Sequence, residues 1–297
     1  MEDQKSSYGL GIIVTLLSAL FWGFSSACGQ YLFEQKNISP EWLVTTRLIL
    51  SGILLLSYSI YKQKAQILLI FTNKKDTLIL IFYAIFGLYA CQYTYYLTID
   101  LSNAAIATIL QYTSPIFIII FVGIVDKTLP SLKEILALIC VVIGVFILAT
   151  HGDPSNLVIP PKAIITGLLS ALCILVYSIT PIKINRRYGI LTCLALGLSM
   201  SGVMSSVMCR AWSLEGVSDL PGVGALLGVV LCGTVLSFSL YMKGLSILGP
   251  TKASLIASIE PVTSAFFIWI WLGVTFVAFD FLGFFLIIAS TIILAKK

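Results

Sequence analysis

Hydrophobic residues along this chain run in long stretches, broken by short clusters of turn-forming and charged residues. The apolar stretches lie near residues 9 to 31, 42 to 61, 77 to 97, 103 to 125, 133 to 150, 163 to 181, 190 to 209, 222 to 242, 252 to 273 and 279 to 295. Each is close to the roughly 20 residues with which an α-helix crosses the hydrocarbon layer while satisfying its own backbone hydrogen bonds. The breaks are Asn37 to Glu41, Lys74-Lys75-Asp76, Asp126 to Pro130, His151 to Pro161, Arg186-Arg187, Glu215 to Pro221 and Gly249-Pro250. The pattern predicts an all-α membrane protein of ten transmembrane helices.

Internal repetition divides the ten. Leu16-Leu17-Ser18-Ala19-Leu20 recurs as Leu168-Leu169-Ser170-Ala171-Leu172, a shift of 152. A shift of 146 superimposes Tyr95 on Tyr241, Ala107 on Ala253, Pro115 on Pro261, Phe121 on Phe267 and Leu136 on Leu282, and Glu134 meets Asp280. The same shift carries Ile147-Leu148-Ala149 onto Ile293-Leu294-Ala295. Residues 1–150 and 151–297 thus read as two five-helix repeats. Because five is odd, the second copy enters from the opposite side, and the repeats are expected to be inverted. Such halves suit alternating access, since exchanging their conformations turns an inward-open carrier outward.

Composition agrees with a lipid solvent: 59% of the 297 residues are hydrophobic and 10% charged, with a mean hydropathy of +1.03. The net charge of +5 is spread over short loops, which argues against a nucleic-acid partner. With the N-terminus inside, 14 of the 18 Lys and Arg residues fall on the cytoplasmic side and 3 outside, and Arg47 lies within the second stretch. The positive-inside rule then puts both termini in the cytoplasm. The seven cysteines all lie in or at the ends of apolar stretches, without metal-ligand or disulfide spacing, and read as packing residues.

Phe21-Trp22-Gly23, Arg47-Leu48, the alanine-rich run before Pro115, and Glu260-Pro261-Val262 resemble the EamA-type branch of the drug/metabolite transporter superfamily over nearly the whole chain. The resemblance implies helices around a central cavity and export, sometimes import, of amino acids or other small metabolites in a bacterial inner or plasma membrane.

Glu260 is the leading chemical candidate. An acid at mid-span costs roughly 2.5 to 3.5 kcal/mol on insertion scales, so it needs either a role, in binding a proton or a cationic substrate group, or a hydrogen-bonded burial near Pro261. Pro115 and Pro261 sit at corresponding points and each removes a backbone donor, as hinges or as static bends. In the third stretch, Tyr89, Gln92, Tyr93 and Tyr96 share one helical face. With Trp22, Gln111, Tyr112, Ser114 and Tyr177 they form an expected substrate lining of aromatic walls and polar groups. Packing and interfacial anchoring are the alternative, especially for Tyr95 and Tyr96. Arg47 is read as snorkelling or pairing helices sooner than as a ligand for a substrate carboxylate. His151, the sole histidine, is expected at the surface. Gly224, Gly228 and Cys232 make a small-residue stripe, read as packing within the bundle sooner than as a dimer contact.

No HExxH, P-loop, Asp-rich metal motif or phosphate-cradling glycine run is present, so neither an enzyme nor a cofactor or metal is expected. The first expectation is a secondary transporter exporting an amino acid or related metabolite, as a monomer or homodimer, with proton coupling through Glu260 as a hypothesis. The alternative within transport is uptake of a cationic amine held by aromatics and Glu260; a channel or membrane enzyme stands in other classes.

Overall fold

The computed structural model describes every residue except 1, 128, 130, 154–156, 249–252, 254, 255, 258, 296 and 297. The break expected at Gly249-Pro250, the basic residues Lys252, Lys296 and Lys297, and the start of the ninth stretch lie outside the described residues, as do parts of the breaks at Asp126 to Pro130 and His151 to Pro161. Among the described residues every regular element is helical.

Helix α1 is Glu2–Lys36 and α2 is Pro40–Gln63. The third span is built from α3 (Lys74–Phe82), a π-helical segment (Tyr83–Tyr89) and α4 (Ala90–Leu101). The fourth is broken into α5 (Ala104–Gln111) and α6 (Ser114–Asp126), and α7 is Leu132–Thr150. Helix α8 (Pro161–Ile179) is followed by the short α9 (Ile182–Tyr188) and by α10 (Ile190–Met208). Then α11 (Leu220–Leu227) runs through a second π-helical segment (Gly228–Leu236) into α12 (Ser237–Leu248). The chain ends with α13 (Glu260–Leu272) and α14 (Ala278–Ala295). Among the described residues, eight spans are long and apolar enough to cross a membrane, while Glu260–Leu272 and Ala278–Ser290 are shorter apolar helices.

Local chemistry repeats with the sequence. Asn73 and Asn103 cap α3 and α5, each side chain accepting from backbone N–H groups of the first turn. Glu134 closes a capping box at the start of α7, accepting from the Ser131 N–H at 2.5 Å. Asp280, its partner in the 146 register, accepts from the Val277 N–H at 2.9 Å. The first π segment, moved by the same shift, falls at 229–235, inside the second. A π turn widens a helix and upsets its bond ladder, so the two halves carry one irregularity at one place.

Helix α1 packs against α12, α13 and the second π segment; α2 packs on α10, and α7 on α14. Gly23 permits the α1–α13 approach, for a Cβ there would lie 2.2 Å from Thr263 Oγ1 and 2.7 Å from the Ser264 nitrogen. The small-residue stripe splits in the structure: a Cβ on Gly228 would meet Cys28 Sγ at 2.7 Å, whereas one on Gly224 would meet nothing within 4 Å. Two clasps join the chain's first part to its second. Lys36 Nζ reaches Asp219 Oδ2 at 2.6 Å, and Asp76 Oδ2 accepts from Arg187 Nη1 at 2.9 Å and the Tyr188 hydroxyl at 2.8 Å.

His151 departs from the expected surface residue. It ends α7 with φ of 47°, its Nε2 lies 2.9 Å from Asp280 Oδ1, and its ring stacks on Phe279. It ties α7 to α14 because the repeat places the acid that caps α14 beside the end of α7.

Candidate functional site

A cavity of about 480 Å³ lies among the helices, walled from both parts of the chain. Helix α1 contributes Trp22, Ser25 and Ser26; α2 contributes Arg47 and Ser51; α4 contributes Gln92, Tyr95 and Tyr96. The fourth span gives Gln111, Tyr112 and Ser114 at its break, α8 gives Tyr177, α12 gives Phe238 and Tyr241, and the break before α13 gives Ala257 and Glu260. Trp22 meets Phe238 edge-on at 5.6 Å and Tyr241 at 5.4 Å, making an aromatic corner.

The two broken spans meet at the cavity. Pro115 and Pro261 each stand in the first turn of the helix after the break, where a missing N–H is tolerated. Pro261, lacking an N–H, gives the Ala257 carbonyl four residues earlier no helical donor. The Tyr112 hydroxyl supplies one at 2.8 Å and also lies 3.1 Å from Glu260 Oε2. A tyrosine from one break thus repairs the other.

Arg47 does not snorkel. It is 6% exposed, and its Nε donates to Thr234 Oγ1 (3.1 Å), its Nη1 to Gln92 Oε1 (2.8 Å) and Tyr96 (2.7 Å), and its Nη2 to the Gly233 carbonyl (3.1 Å). Gly233 sits in the second π segment, and a Cβ there would lie 2.0 Å from Ser25 Oγ. The missing side chain brings this carbonyl within reach of the guanidinium. Arg47 and Glu260 are the charged residues among those lining the cavity.

Of the expected substrate lining, Trp22, Gln92, Tyr96, Gln111, Tyr112, Ser114, Tyr177 and Glu260 reach the cavity, and Tyr89 and Tyr93 do not. The cavity stripe of this span runs through Gly87, Leu88, Cys91, Gln92, Tyr95 and Tyr96, and leaves Tyr89 and Tyr93 off it. They stack on each other at 5.8 Å; Tyr93 donates to Glu41 Oε1 at 2.7 Å, and the Tyr89 hydroxyl lies 3.7 Å from Cys209 Sγ. Tyr96, on the expected lining face with packing or interfacial anchoring as its alternative, is 0% exposed and lines the cavity; Tyr95, for which packing or anchoring was expected, is 8% exposed and lines it too. Sequence reasoning also missed Ser51, a cavity-wall residue one turn from Arg47 whose fully buried hydroxyl has no hydrogen-bond partner among the described residues. Its i,i+4 spacing from Arg47 was the available signal. Among the described residues no cluster of three or more potential metal ligands is found.

A bundle of long apolar helices around a half-open, mainly apolar cavity that holds a few polar groups defines a multi-pass membrane protein. The EamA-like transporter family model matches residues 9–150 and 161–296, and the chain belongs to that family, within the drug/metabolite transporter superfamily, as a membrane transporter built of two repeats. It is 34% identical over 288 residues to the uncharacterized inner membrane transporter YicL of Salmonella typhimurium, covering 96% of this chain and 95% of that one. The uncharacterized transporter YcbK of Bacillus subtilis is 25% identical over 181 residues, 58% of this chain and 57% of its own. One solved crystal structure superposes with a TM-score of 0.60 at 14% identity, covering 98% of this chain and 96% of that one, a likeness of fold alone.

Proposed function

We propose that the protein is a secondary transporter working by alternating access, and that it exports an amino acid or a related zwitterionic metabolite from the cell. It has ten transmembrane helices in two inverted halves, 1–150 and 151–297, with both termini cytoplasmic in a bacterial inner or plasma membrane. The observation that carries the substrate class is the pair of opposite charges in one cavity, Arg47 from the first half and Glu260 from the second. A zwitterion offsets both: its carboxylate faces Arg47 and the unpartnered Ser51 hydroxyl, and its ammonium faces Glu260. The aromatic corner of Trp22, Phe238 and Tyr241 receives an apolar side chain.

Uptake of a cationic amine is the weaker reading, because a substrate without an acid leaves the buried Arg47 charge facing a second cation. Pro115 and Pro261 serve as hinges at the broken spans, and Glu260 takes the coupling proton when substrate leaves.

Counterflow in proteoliposomes tests this without assuming a driving ion. Liposomes preloaded with excess zwitterionic amino acids are expected to accumulate the labelled compound, while polyamines and quaternary amines give no signal. Accumulation of amines alone sinks the zwitterion reading, and no accumulation of any amino acid sinks amino acid transport. Glu260→Gln is expected to abolish the pH dependence of gradient-driven transport; an unchanged profile rejects proton coupling at this residue.

A further inference from the structure

We propose that Tyr112 is a positioning residue that couples the occupancy of Glu260 to the backbone at the break of the ninth span. The inference rests on the reading of Glu260 as the site of a proton or a substrate ammonium. A phenol carries one hydrogen to donate, and two acceptors compete for it: the Ala257 carbonyl at 2.8 Å and Glu260 Oε2 at 3.1 Å. The two have different alternatives. The Ala257 carbonyl gets no helical donor because Pro261 has no N–H, and Glu260 changes from donor to pure acceptor when it loses its proton.

When Glu260 is protonated, its O–H donates to the Tyr112 oxygen and the phenol hydrogen stays on Ala257, so all three groups are satisfied. When Glu260 is ionised and empty, the charge-assisted bond is the stronger one, the phenol hydrogen turns to the carboxylate, and the Ala257 carbonyl is orphaned. A substrate ammonium supplies donors of its own to the carboxylate and returns the phenol to Ala257. Proton and ammonium therefore set the same backbone state, and the empty carboxylate sets another. That distinction lets a carrier isomerise when loaded and resist when empty. It also spans the molecule, because the partners of Tyr112 lie 145 and 148 residues away, in the symmetry-related break.

The other titratable groups facing the cavity are Arg47 on α2, Cys91, Tyr95 and Tyr96 on α4, Tyr177 on α8 and Tyr241 on α12. Among the described residues, Tyr112 alone hydrogen-bonds the Glu260 carboxylate.

The test reads the Ala257 carbonyl by solid-state NMR of the full chain in bilayers, with carbonyl-labelled alanine and nitrogen-labelled serine limiting the signal to the Ala-Ser peptides at 253-254, 257-258 and 289-290, and the Ala257 resonance identified by its loss in Ala257→Gly. Across roughly pH 5 to 8, the wild-type Ala257 carbonyl resonance is expected to shift with the same midpoint as the Glu260 carboxyl signal in infrared difference spectra. In Tyr112→Phe the carboxyl signal still titrates and the Ala257 resonance stays fixed. In Glu260→Gln the resonance stays at its low-pH position throughout. A wild-type resonance that does not move, or one that still moves in either variant, overturns the proposal. Counterflow is scored separately: no counterflow together with an Ala257 shift that follows Glu260 removes the amino acid reading and leaves the coupling standing.

Discussion

Arg47 directs four hydrogen bonds to neutral oxygens on two different walls of the cavity, two on α4 and two on the second π segment. A lysine has one charged centre and no planar fork, so it cannot hold both walls. Arg47→Lys is expected to lower counterflow at least ~10-fold and to cost about 2 kcal/mol or more in stability, as buried acceptors lose their donors; thermal unfolding in detergent checks the second figure. Ser51 gives the opposite signature. Its hydroxyl has no partner among the described residues, so Ser51→Ala is expected to leave stability within about 0.5 kcal/mol and to weaken substrate affinity about 2- to 10-fold. Equal affinity in the variant rejects Ser51 as a ligand. The sequence shows that Arg47 is costly in a membrane, but whether it snorkels or turns inward depends on Thr234 and Tyr96, which sequence distance does not reveal. The position of Glu260 within an apolar stretch was legible from the chain alone, and it lines the cavity.

Helical elements were legible as lengths and breaks, and less so as faces. The prolines marked both broken spans, yet the third span's cavity face is centred on Cys91 and Tyr95, so two of its tyrosines were assigned to the wrong wall. A stripe drawn from polar side chains alone mistook Tyr89 and Tyr93, whose hydroxyls find partners in Cys209 and Glu41, for cavity groups. The glycine stripe of α11 and its π segment likewise has two fates. Gly228→Ala is expected to destabilise by about 1–3 kcal/mol against Cys28, and Gly224→Ala to be neutral or slightly stabilising; equal effects reject the split. The clasp at the end of α1 has a defined pH sign. The hydrogen bond from Lys36 holds the Asp219 carboxyl below the usual carboxylate range, so its contribution is present above the unfolded value and is lost as pH falls through the lowered folded one. The melting temperature of wild type minus that of Asp219→Asn is expected to be small and positive near neutrality, because the pair is partly exposed. The difference should vanish on acidification; one that grows in acid contradicts the assignment.

At the scale of the whole molecule, a repeated scaffold carries an unrepeated charge pattern. Tyr95 and Tyr241, equivalent under the shift of 146, both line the cavity, whereas Glu260 faces it where the first half supplies Ser114, and Gln92 where the second supplies Phe238. Duplication supplies two similar helix breaks, and divergence of a few side chains then gives the cavity one acid and one base, the asymmetry from which the proposed zwitterion reading starts. The scheme depends on inversion, which requires an odd number of crossings between equivalent points of the halves. Eight spans are long enough to cross, and the last two apolar helices must complete the count. A fluorescent protein fused after Lys297 is therefore expected to fluoresce, because it folds in the cytoplasm, and alkaline phosphatase fused there to be inactive. Phosphatase inserted in the break between Thr150 and Pro161 should be active, since five crossings place that point outside if the N-terminus is inside. An active phosphatase at the C-terminus would give an odd total, leave one of the short helices outside the membrane count, and remove the inverted symmetry on which the proposed alternating access rests.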